Sequence, residues 1–256
     1  MSGDEGQMSS ALSAGAFTQY PLYKEVKLRI TKSLMDGQWK SGEALPSEAQ
    51  LARGFNVSIG TLRKAVDELV QEKVLVRQQG RGTFVATHNE SRTLYYFFHI
   101  VGEDGVRRFP TSELLAFSRG KADTLSAQRL RIGRGDKVIL IRNVLKLEGE
   151  PVVLDNITLP AAQLGDLTER IFRNRENTIY NLYQTRYGIN VIRTVDRLRA
   201  LISDDKTAAA LGLQRGSPVL KIDRTALTYH DAPVELRRSY VNTAHHHYLS
   251  DLGKYY

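Results

Sequence analysis

Residues 45–85 read LPSEAQLARGFNVSIGTLRKAVDELVQEKVLVRQQGRGTFV, and local signals in this segment predict the fold of the first part of the chain. Ser47 and Ser58 each precede an amphipathic run, and serine is a preferred residue at helix N-termini. Only a few residues around Asn56 and Val57 separate the two runs, so the two helices must cross at a steep angle. Two short β-like runs then flank Gly80-Arg81-Gly82. The stretch therefore predicts two crossed helices followed by a glycine-tipped hairpin.

Another helix is predicted just before this stretch. Pro21 opens a segment in which apolar residues recur at i, i+4 spacing from Leu22 to Leu34, and Gly37 ends it. Three helices followed by a hairpin are the winged helix-turn-helix plan. In that plan one helix enters a DNA major groove, which is about 12 Å wide, and the hairpin reaches an adjacent groove.

The composition is that of a globular chain. Hydrophobic residues make up 41% and charged residues 25% of the 256 residues, and there is no cysteine. The absence of cysteine excludes disulfide scaffolds, thiolate zinc sites and cysteine nucleophiles. There is no apolar run long enough for a transmembrane helix and no secretory signal pattern, so we expect no membrane partner and a cytoplasmic protein.

The charge of the chain is basic but does not by itself identify DNA as the partner. Lys and Arg number 36 against 28 Asp and Glu, a net charge of +8. Residues 1–86 carry 11 basic and 9 acidic side chains, whereas residues 87–256 carry 25 and 19. Most of the excess therefore lies outside the predicted winged helix, and the case for DNA rests on the motif.

The chain divides into four predicted segments: a flexible tail (1–18), the winged helix-turn-helix domain (19–86), a linker (87–93), and an effector-binding and dimerisation domain (94–250). Within the last domain, two hairpins share one pattern, and Arg142 precedes Pro151 by nine residues just as Arg224 precedes Pro233. This repeat predicts a pseudo-symmetric antiparallel sheet with helices on one side, and hence an α+β fold.

The segment from Pro21 to Val85 resembles the DNA-binding domain of GntR-type bacterial transcription regulators. The residues that carry the resemblance are Pro21-Leu22-Tyr23, Leu45-Pro46-Ser47-Glu48, Leu51-Ala52, Val57-Ser58, Thr61-Leu62-Arg63, Leu69 and Gly80-Arg81-Gly82-Thr83-Phe84-Val85.

The later part resembles the HutC-type effector domain, also called UTRA, which is related in fold to chorismate lyase. The matching residues include Gly149-Glu150-Pro151-Val152, Leu159-Pro160, Tyr180, Tyr187-Gly188, Leu211-Gly212, Pro218-Val219, Arg224 and Pro233-Val234-Glu235. The resemblance implies a homodimer on a palindromic operator. It also implies a repressor that a small-molecule effector releases from double-stranded DNA.

Candidate DNA-binding residues lie at the start of the third helix, at the second helix and in the hairpin. Arg63 can reach guanine O6 and N7 or a phosphate, and Arg81 can enter a minor groove. The alternatives are a solvated helix arginine and a plain glycine-rich turn. Ile59 stands where the family usually has Arg, which removes one expected contact. The full candidate set is Ser47, Ser58, Thr61, Arg63, Lys64, Gln79, Gly80, Arg81 and Gly82.

Four residues are candidates for effector binding: Arg142, Asp155, Glu235 and Tyr240. By the resemblance, Arg142 stands where the family often binds an anionic group, which favours an acidic effector. The alternative is an ordinary ion pair across the sheet. Sugar-phosphate-sensing relatives carry a hydroxyl-rich loop early in the domain, and Phe97-Phe98-His99-Ile100-Val101 has no such cluster.

No catalytic residue, cofactor or metal site is predicted. The His245–His247 run is adjacent in sequence, so its side chains do not share one face, and a strand end or loop is favoured over a metal site. Two other functions remain open at this point. One is a chorismate-lyase-like enzyme with a fused DNA-binding domain, and the other is a DNA-binding dimer without a ligand.

Overall fold

The computed structural model describes residues 21–88, 96–176 and 178–250. The predicted tail and most of the predicted linker lie outside these residues. The first domain contains three helices and a two-stranded hairpin: α1 (Leu22–Met35), α2 (Glu48–Phe55), α3 (Ile59–Gln71), β1 (Leu75–Gln78) and β2 (Gly82–Val85).

Local sequence sets the boundaries of the two crossed helices. Ser47 and Gln50 form a capping box at the start of α2, and Ser58 accepts a hydrogen bond from the backbone of Thr61 at the start of α3. Asn56 ends α2 in the left-handed region at φ 54°, a conformation that asparagine tolerates better than most residues. The turn is therefore short, and the apolar faces of α1, α2 and α3 meet in one core around Ile30, which is fully buried.

The second domain is built on a six-stranded antiparallel sheet. Its elements are β3 (Ile100–Gly102), β4 (Thr111–Lys121), α4 (Thr124–Leu130), β5 (Lys137–Leu147), β6 (Glu150–Pro160), α5 (Glu169–Arg173), α6 (Ile179–Tyr187), β7 (Arg193–Ile202), α7 (Asp205–Leu211), β8 (Pro218–Leu227), β9 (Pro233–Asn242) and β10 (His246–Tyr248). The strand order is β4-β5-β6-β9-β8-β7, and β3 pairs with β10 in a separate ribbon.

The sheet order confirms the α+β fold class and the repeated hairpins. Strands β4, β5 and β6 form one half and β7, β8 and β9 the other, and the halves meet where β6 pairs with β9. The position of the helices differs from the prediction, because they lie on both faces. Helices α5 and α6 pack on one face and α7 on the other, since β5 and β6 are apolar on both sides.

The two hairpins differ by one residue in the connection between their strands. Four residues lie between Lys146 and its partner Pro151, whereas five lie between Leu227 and its partner Pro233. Side chains alternate between the faces of a sheet, so one extra residue moves the preceding strand's pattern to the other face. Equal spacing to the proline therefore does not give equal placement of Arg142 and Arg224.

No helix among residues 21–88, 96–176 and 178–250 is long and apolar enough to cross a membrane. The histidine run begins just before β10 and continues into it, as the sequence favoured. Over the same residues there is no group of side chains suited to hold a metal ion.

Candidate functional site

The first candidate site is the exposed N-terminal turn of α3. The Ser58 and Thr61 hydroxyls lie 2.8 Å apart, and the Thr61 backbone N–H donates to the Ser58 hydroxyl at 3.1 Å. Both residues are accessible, as is Ile59 beside them. A helix N-terminus that presents hydroxyls and backbone N–H groups is suited to bind phosphate.

A chain of charged side chains holds Arg63 across the two crossed helices. Arg63 Nε donates to Glu48 at 2.9 Å, and Arg77 of the hairpin donates to the same carboxylate at 3.0 Å. Arg77 also pairs with Asp67 at 2.6 Å. The Arg63 side chain is still 59% exposed, so it is pre-positioned without being covered.

Two predicted contacts of this surface already have partners inside the domain. The Ser47 hydroxyl completes the capping box with Gln50. The Lys64 ammonium lies 4.2 Å from the centre of the Tyr23 ring, a cation–π distance. Lys64 is therefore turned towards α1.

The hairpin tip is exposed and narrow. Gly80 and Gly82 have φ of 70° and 114°, which favour glycine, and neither has an atom near the position that a Cβ would occupy. Arg81 stands between them and Gln79 just before, both exposed. The glycines allow close approach to a groove wall, and Arg81 supplies a positive charge there.

The second candidate site is a cavity in the sheet domain with a volume of about 120 Å³. Its floor is the face of β5, β6, β9 and β8 that α6 also covers. Its walls come from residues 97–100 and 109–112, from the start of α6, and from Tyr248 of β10.

The floor of the cavity changes from apolar to ionic along the strands. Leu145, Val153 and Val241 occupy one row across the sheet. Asn143, Asp155, Ser239 and Ile222 occupy the next row, and Ile157, Arg237, Arg224 and Asp196 the row after it. A ligand on this floor therefore meets hydrocarbon at one end and charged groups at the other.

Glu235 is fully buried at the ionic end and is held by four hydrogen bonds. The Tyr180 and Tyr183 hydroxyls donate to it at 3.2 and 2.8 Å, and Arg237 donates through two nitrogens at 2.9 Å each. Arg237 also reaches Asp155 at 3.2 Å. Burial and the Glu235 charge raise the pKa of both tyrosines, so their hydroxyls remain donors at neutral pH.

The three arginines that line the cavity differ in their counter-charges. Arg237 faces Asp155 and Glu235, and Arg224 makes a two-nitrogen ion pair with Asp196 at 2.8 and 2.7 Å. Arg175 donates to the Phe172 carbonyl and the Ser112 hydroxyl at 2.6 and 2.5 Å. Within the described part of the chain, no carboxylate lies within ion-pair distance of Arg175. Burial lowers the pKa of Arg175, as does the positive charge of Arg237.

His99 lines the same cavity as a neutral ring. Burial, reinforced by the positive charge of Arg224, lowers the pKa of His99 to about 4. The ring lies 5.1 Å from that of Tyr248. Nδ1 of His99 is shielded from water and has no hydrogen-bond partner among the described residues.

The structure does not bring the four predicted effector residues together. Asp155 and Glu235 lie on the cavity face, but Arg142 and Tyr240 lie on the opposite face. Arg142 donates there to the Lys206 carbonyl at 3.0 Å, and Tyr240 packs against the cluster that includes Leu211 of α7. The prediction that all four form one site is therefore wrong, because strand alternation separates them.

The position that corresponds to Arg224 in the first hairpin is Asn143, not Arg142. Asn143 pairs with Asp155 as Arg224 pairs with Arg237. Three polar residues of the cavity were not predicted from the sequence: Arg175, Arg237 and Ser239. Arg237 and Ser239 could have been predicted, because they lie two and four residues after the candidate Glu235 on one strand and therefore share its face of the sheet.

A contact cluster around His88 joins the cavity wall to the end of the first domain. His88 is fully buried and bonds to Asn190 at 2.8 Å through its ring, while its backbone N–H donates to Gln184 at 2.8 Å. Gln184 also donates to the Ala86 carbonyl at 3.0 Å, directly after β2. The His88 ring packs against the rings of Phe97 and Tyr180, which line the cavity. We refer to these residues as the His88 cluster.

Comparison with known proteins gives matches over both domains. The model "Bacterial regulatory proteins, gntR family" matches residues 22–85, and the model "UTRA domain" matches residues 106–247. The chain is 30% identical over 205 residues to the mannosyl-D-glycerate transport/metabolism system repressor MngR of Escherichia coli (strain K12), covering 78% of this chain and 83% of that protein. It is 26% identical over 220 residues to the HTH-type transcriptional repressor NagR of Bacillus subtilis (strain 168), covering 86% and 89%.

A solved structure supports the assignment of the second domain. The ligand-binding domain of a protein assigned to the GntR-family transcriptional regulators, from Bordetella bronchiseptica, superposes with a TM-score of 0.59 at 30% identity. It covers 62% of this chain and 99% of its own length. The chain belongs to the GntR family of bacterial regulatory proteins, and it is a DNA-binding transcription regulator with a UTRA domain rather than an enzyme.

Proposed function

We propose that this regulator binds an inverted-repeat operator as a homodimer and represses transcription until a small acidic effector enters the cavity. It acts in the cytoplasm and uses no cofactor. The observation that carries the proposal is the His88 cluster, because it connects the cavity wall to the end of the DNA-binding domain. A ligand that moves Tyr180 or Phe97 must also move His88, or else break the packing of the His88 ring against these two rings.

The DNA surface combines one base-reading element and one groove-reaching element. Arg63 reads a base edge from α3, Ser58 and Thr61 bind a phosphate, and Arg81 enters a neighbouring groove. Two such surfaces related by a two-fold axis match two half-sites about one helical turn apart. The operator is therefore a short inverted repeat.

Arg175 anchors the acid group of the effector, in place of Arg142. Arg175 lines the cavity and has no carboxylate partner among the described residues, whereas the other two cavity arginines are each neutralised. A ligand anion would offset the repulsion between Arg175 and Arg237. Asp155 and Ser239 provide further polar contacts, while Glu235 serves to hold Arg237 and the two tyrosines.

A second copy of the chain covers the exposed edge of the sheet at β7. Leu198 and Ile202 lie on the same side of this edge strand and are 47% and 69% exposed. An uncovered edge strand with apolar side chains is prone to association. We expect Leu198→Lys to shift the protein towards a monomer in analytical ultracentrifugation.

The effector acts by favouring one arrangement of the two DNA-binding domains over another. It shifts the equilibrium only by its difference in affinity for the two arrangements, and coupling of about 1–3 kcal/mol is typical. Residues 86–88, which follow β2 and include the start of the predicted linker, transmit the shift through Gln184 and His88.

Selection from a random double-stranded DNA pool tests the DNA half of the proposal. We expect the enriched sequences to share an inverted repeat, and a single unpaired half-site would contradict the dimer. Fluorescence anisotropy on that operator, with metabolites found by thermal shift, tests the sensor half. A DNA-binding dimer without a ligand would bind the operator with an affinity that no metabolite changes.

A further inference from the structure

The size of the cavity limits the effector to a small molecule. Its volume of about 120 Å³ is below that of the apolar cavity of about 150 Å³ that admits benzene. One ring with a short substituent is close to this scale, whereas a two-ring saccharide is far above it. Phe109, on the wall, is 40% exposed.

The walls of the cavity are apolar over most of their area. The apolar lining side chains are Phe97, Phe98, Ile100, Phe109, Pro110, Leu145, Val153, Ile179, Ile222 and Val241. A sugar ring carries hydroxyls on every side, and each hydroxyl placed against hydrocarbon without a partner costs about 1–3 kcal/mol. A flat aromatic ring has no such groups on its faces and can pack against Phe98 and the apolar floor row.

Among the charged groups around the cavity, Arg175 is a cation to which an anionic group of the ligand can bind. Arg237 and Arg224 are matched by Asp155, Glu235 and Asp196, so Arg175 is the one lining arginine without a carboxylate in the described part of the chain. A phosphate monoester carries about −1.5 to −2 at neutral pH, and a carboxylate carries −1. A planar carboxylate also matches the guanidinium fork of Arg175.

Resting on the proposed function, we propose that the effector is an aromatic monocarboxylate. Its carboxylate binds Arg175 beside Ser112, and its ring lies against Phe98 and the row of Val153 and Val241. A hydroxyl substituent on the ring would provide a partner for Nδ1 of His99.

Calorimetric titration of the full-length protein tests this ligand class. The probes are benzoate, 4-hydroxybenzoate, phenylacetate and cinnamate, with 4-hydroxybenzamide as the uncharged counterpart and glucose 6-phosphate as a sugar phosphate. We expect at least one of the acids to bind, and we expect the amide to bind at least about tenfold more weakly than 4-hydroxybenzoate if that acid binds. Tighter binding of glucose 6-phosphate than of all four acids would overturn the ligand class.

Substitution of Arg175 tests the anchor. Arg175→Gln should weaken binding of the acid at least about tenfold, and Arg175→Lys should recover part of it because the charge remains. The matched control is Arg173→Gln, which changes an exposed arginine two residues away that pairs with Glu169. A thermal melt of each variant establishes that it is folded. Unchanged acid binding by a folded Arg175→Gln protein would overturn the anchor.

The two proposals fail separately. If an aromatic acid binds in an Arg175-dependent way but leaves operator affinity unchanged, the ligand class stands and the sensor function does not. If none of the four acids binds at millimolar concentration while a compound of another class releases the operator, the sensor function stands and the ligand class is overturned.

Discussion

Replacement of Glu235 by glutamine separates a structural role from direct effector binding. Glu235→Gln keeps the shape of the side chain but removes its charge. One of its oxygens becomes an NH₂ group that faces donors from Arg237 or the tyrosines. Removing one member of a buried ion pair costs about 3–5 kcal/mol. Asp155 still faces Arg237 at 3.2 Å, so we expect a loss near the lower bound, about 3 kcal/mol.

Differential scanning calorimetry of the full-length protein measures this loss. In a domain of this size, 1 kcal/mol lowers Tm by about 2–4 °C, so the transition of the sheet domain should fall by about 6–12 °C. Tyr183→Phe, which removes only the hydrogen bond at 2.8 Å, should cost less, about 1.5–3 kcal/mol. Because the two residues share one contact, the double variant should lose less than the sum of the single variants.

The exposed pair of Glu169 and Arg173 provides the control for this experiment. Glu169→Gln removes a carboxylate from an i, i+4 surface pair and should change stability by less than about 0.5 kcal/mol. If Glu235→Gln were as stable as this control but had lost its response to the effector, Glu235 would be a ligand contact. The structural role assigned to it would then be wrong.

Three further predictions concern the DNA surface, the cavity and the linker. Arg63→Ala should weaken operator binding by about 1–3 kcal/mol per half-site in anisotropy titrations but spare random DNA, and equal losses on both would limit Arg63 to phosphate contact. The pKa of His99 is lowered to about 4 in the folded protein. As the pH falls from 6.5 to 4, this ring therefore binds a proton in the unfolded chain but not in the folded protein. Unfolding free energy should drop over that window by at most about 1.4 kcal/mol per pH unit, and the drop attributable to this ring should be missing in His99→Asn. The His88→Ala variant should still bind the effector, but the effector should change its operator affinity less than it does in the wild type. Arg142→Ala should respond to the effector like the wild type. The reverse result would place the effector site on the Arg142 face.

The helices and turns of this protein could be predicted from the sequence more accurately than the face of the sheet on which each strand residue lies. Serine caps, an asparagine turn and a glycine-tipped hairpin are local signals, so Ser47, Ser58 and Gly80 could be placed without the fold. Which face a strand residue occupies depends on the register of its hairpin. The one-residue difference between the two connections has no strong local signal, so Arg142 was matched to Arg224 wrongly.

The residues around the cavity that could not be predicted lie where no periodic pattern exists. Arg175 lies between two short helices. It is a candidate for ligand binding because no carboxylate among the described residues lies within ion-pair distance of it. His88 falls in a polar segment that reads as a solvated linker. It is buried because Gln184 and Asn190 of the second domain form hydrogen bonds with its backbone N–H and its ring. These partners lie about a hundred positions away in the sequence.

Because the two hairpins carry different residues at matching positions, the two ends of the cavity differ chemically. A pair of identical repeats facing each other across β6 and β9 would offer a bound molecule two equivalent poses, one the reverse of the other. Here Val153 and Glu235 hold matching places, each two residues after its hairpin proline, and Asp155 matches Arg237 in the same way. The two poses are therefore unequal, and an asymmetric ligand settles in one of them. In a homodimer each protomer would then read its ligand in the same orientation, which keeps the response of the two halves alike.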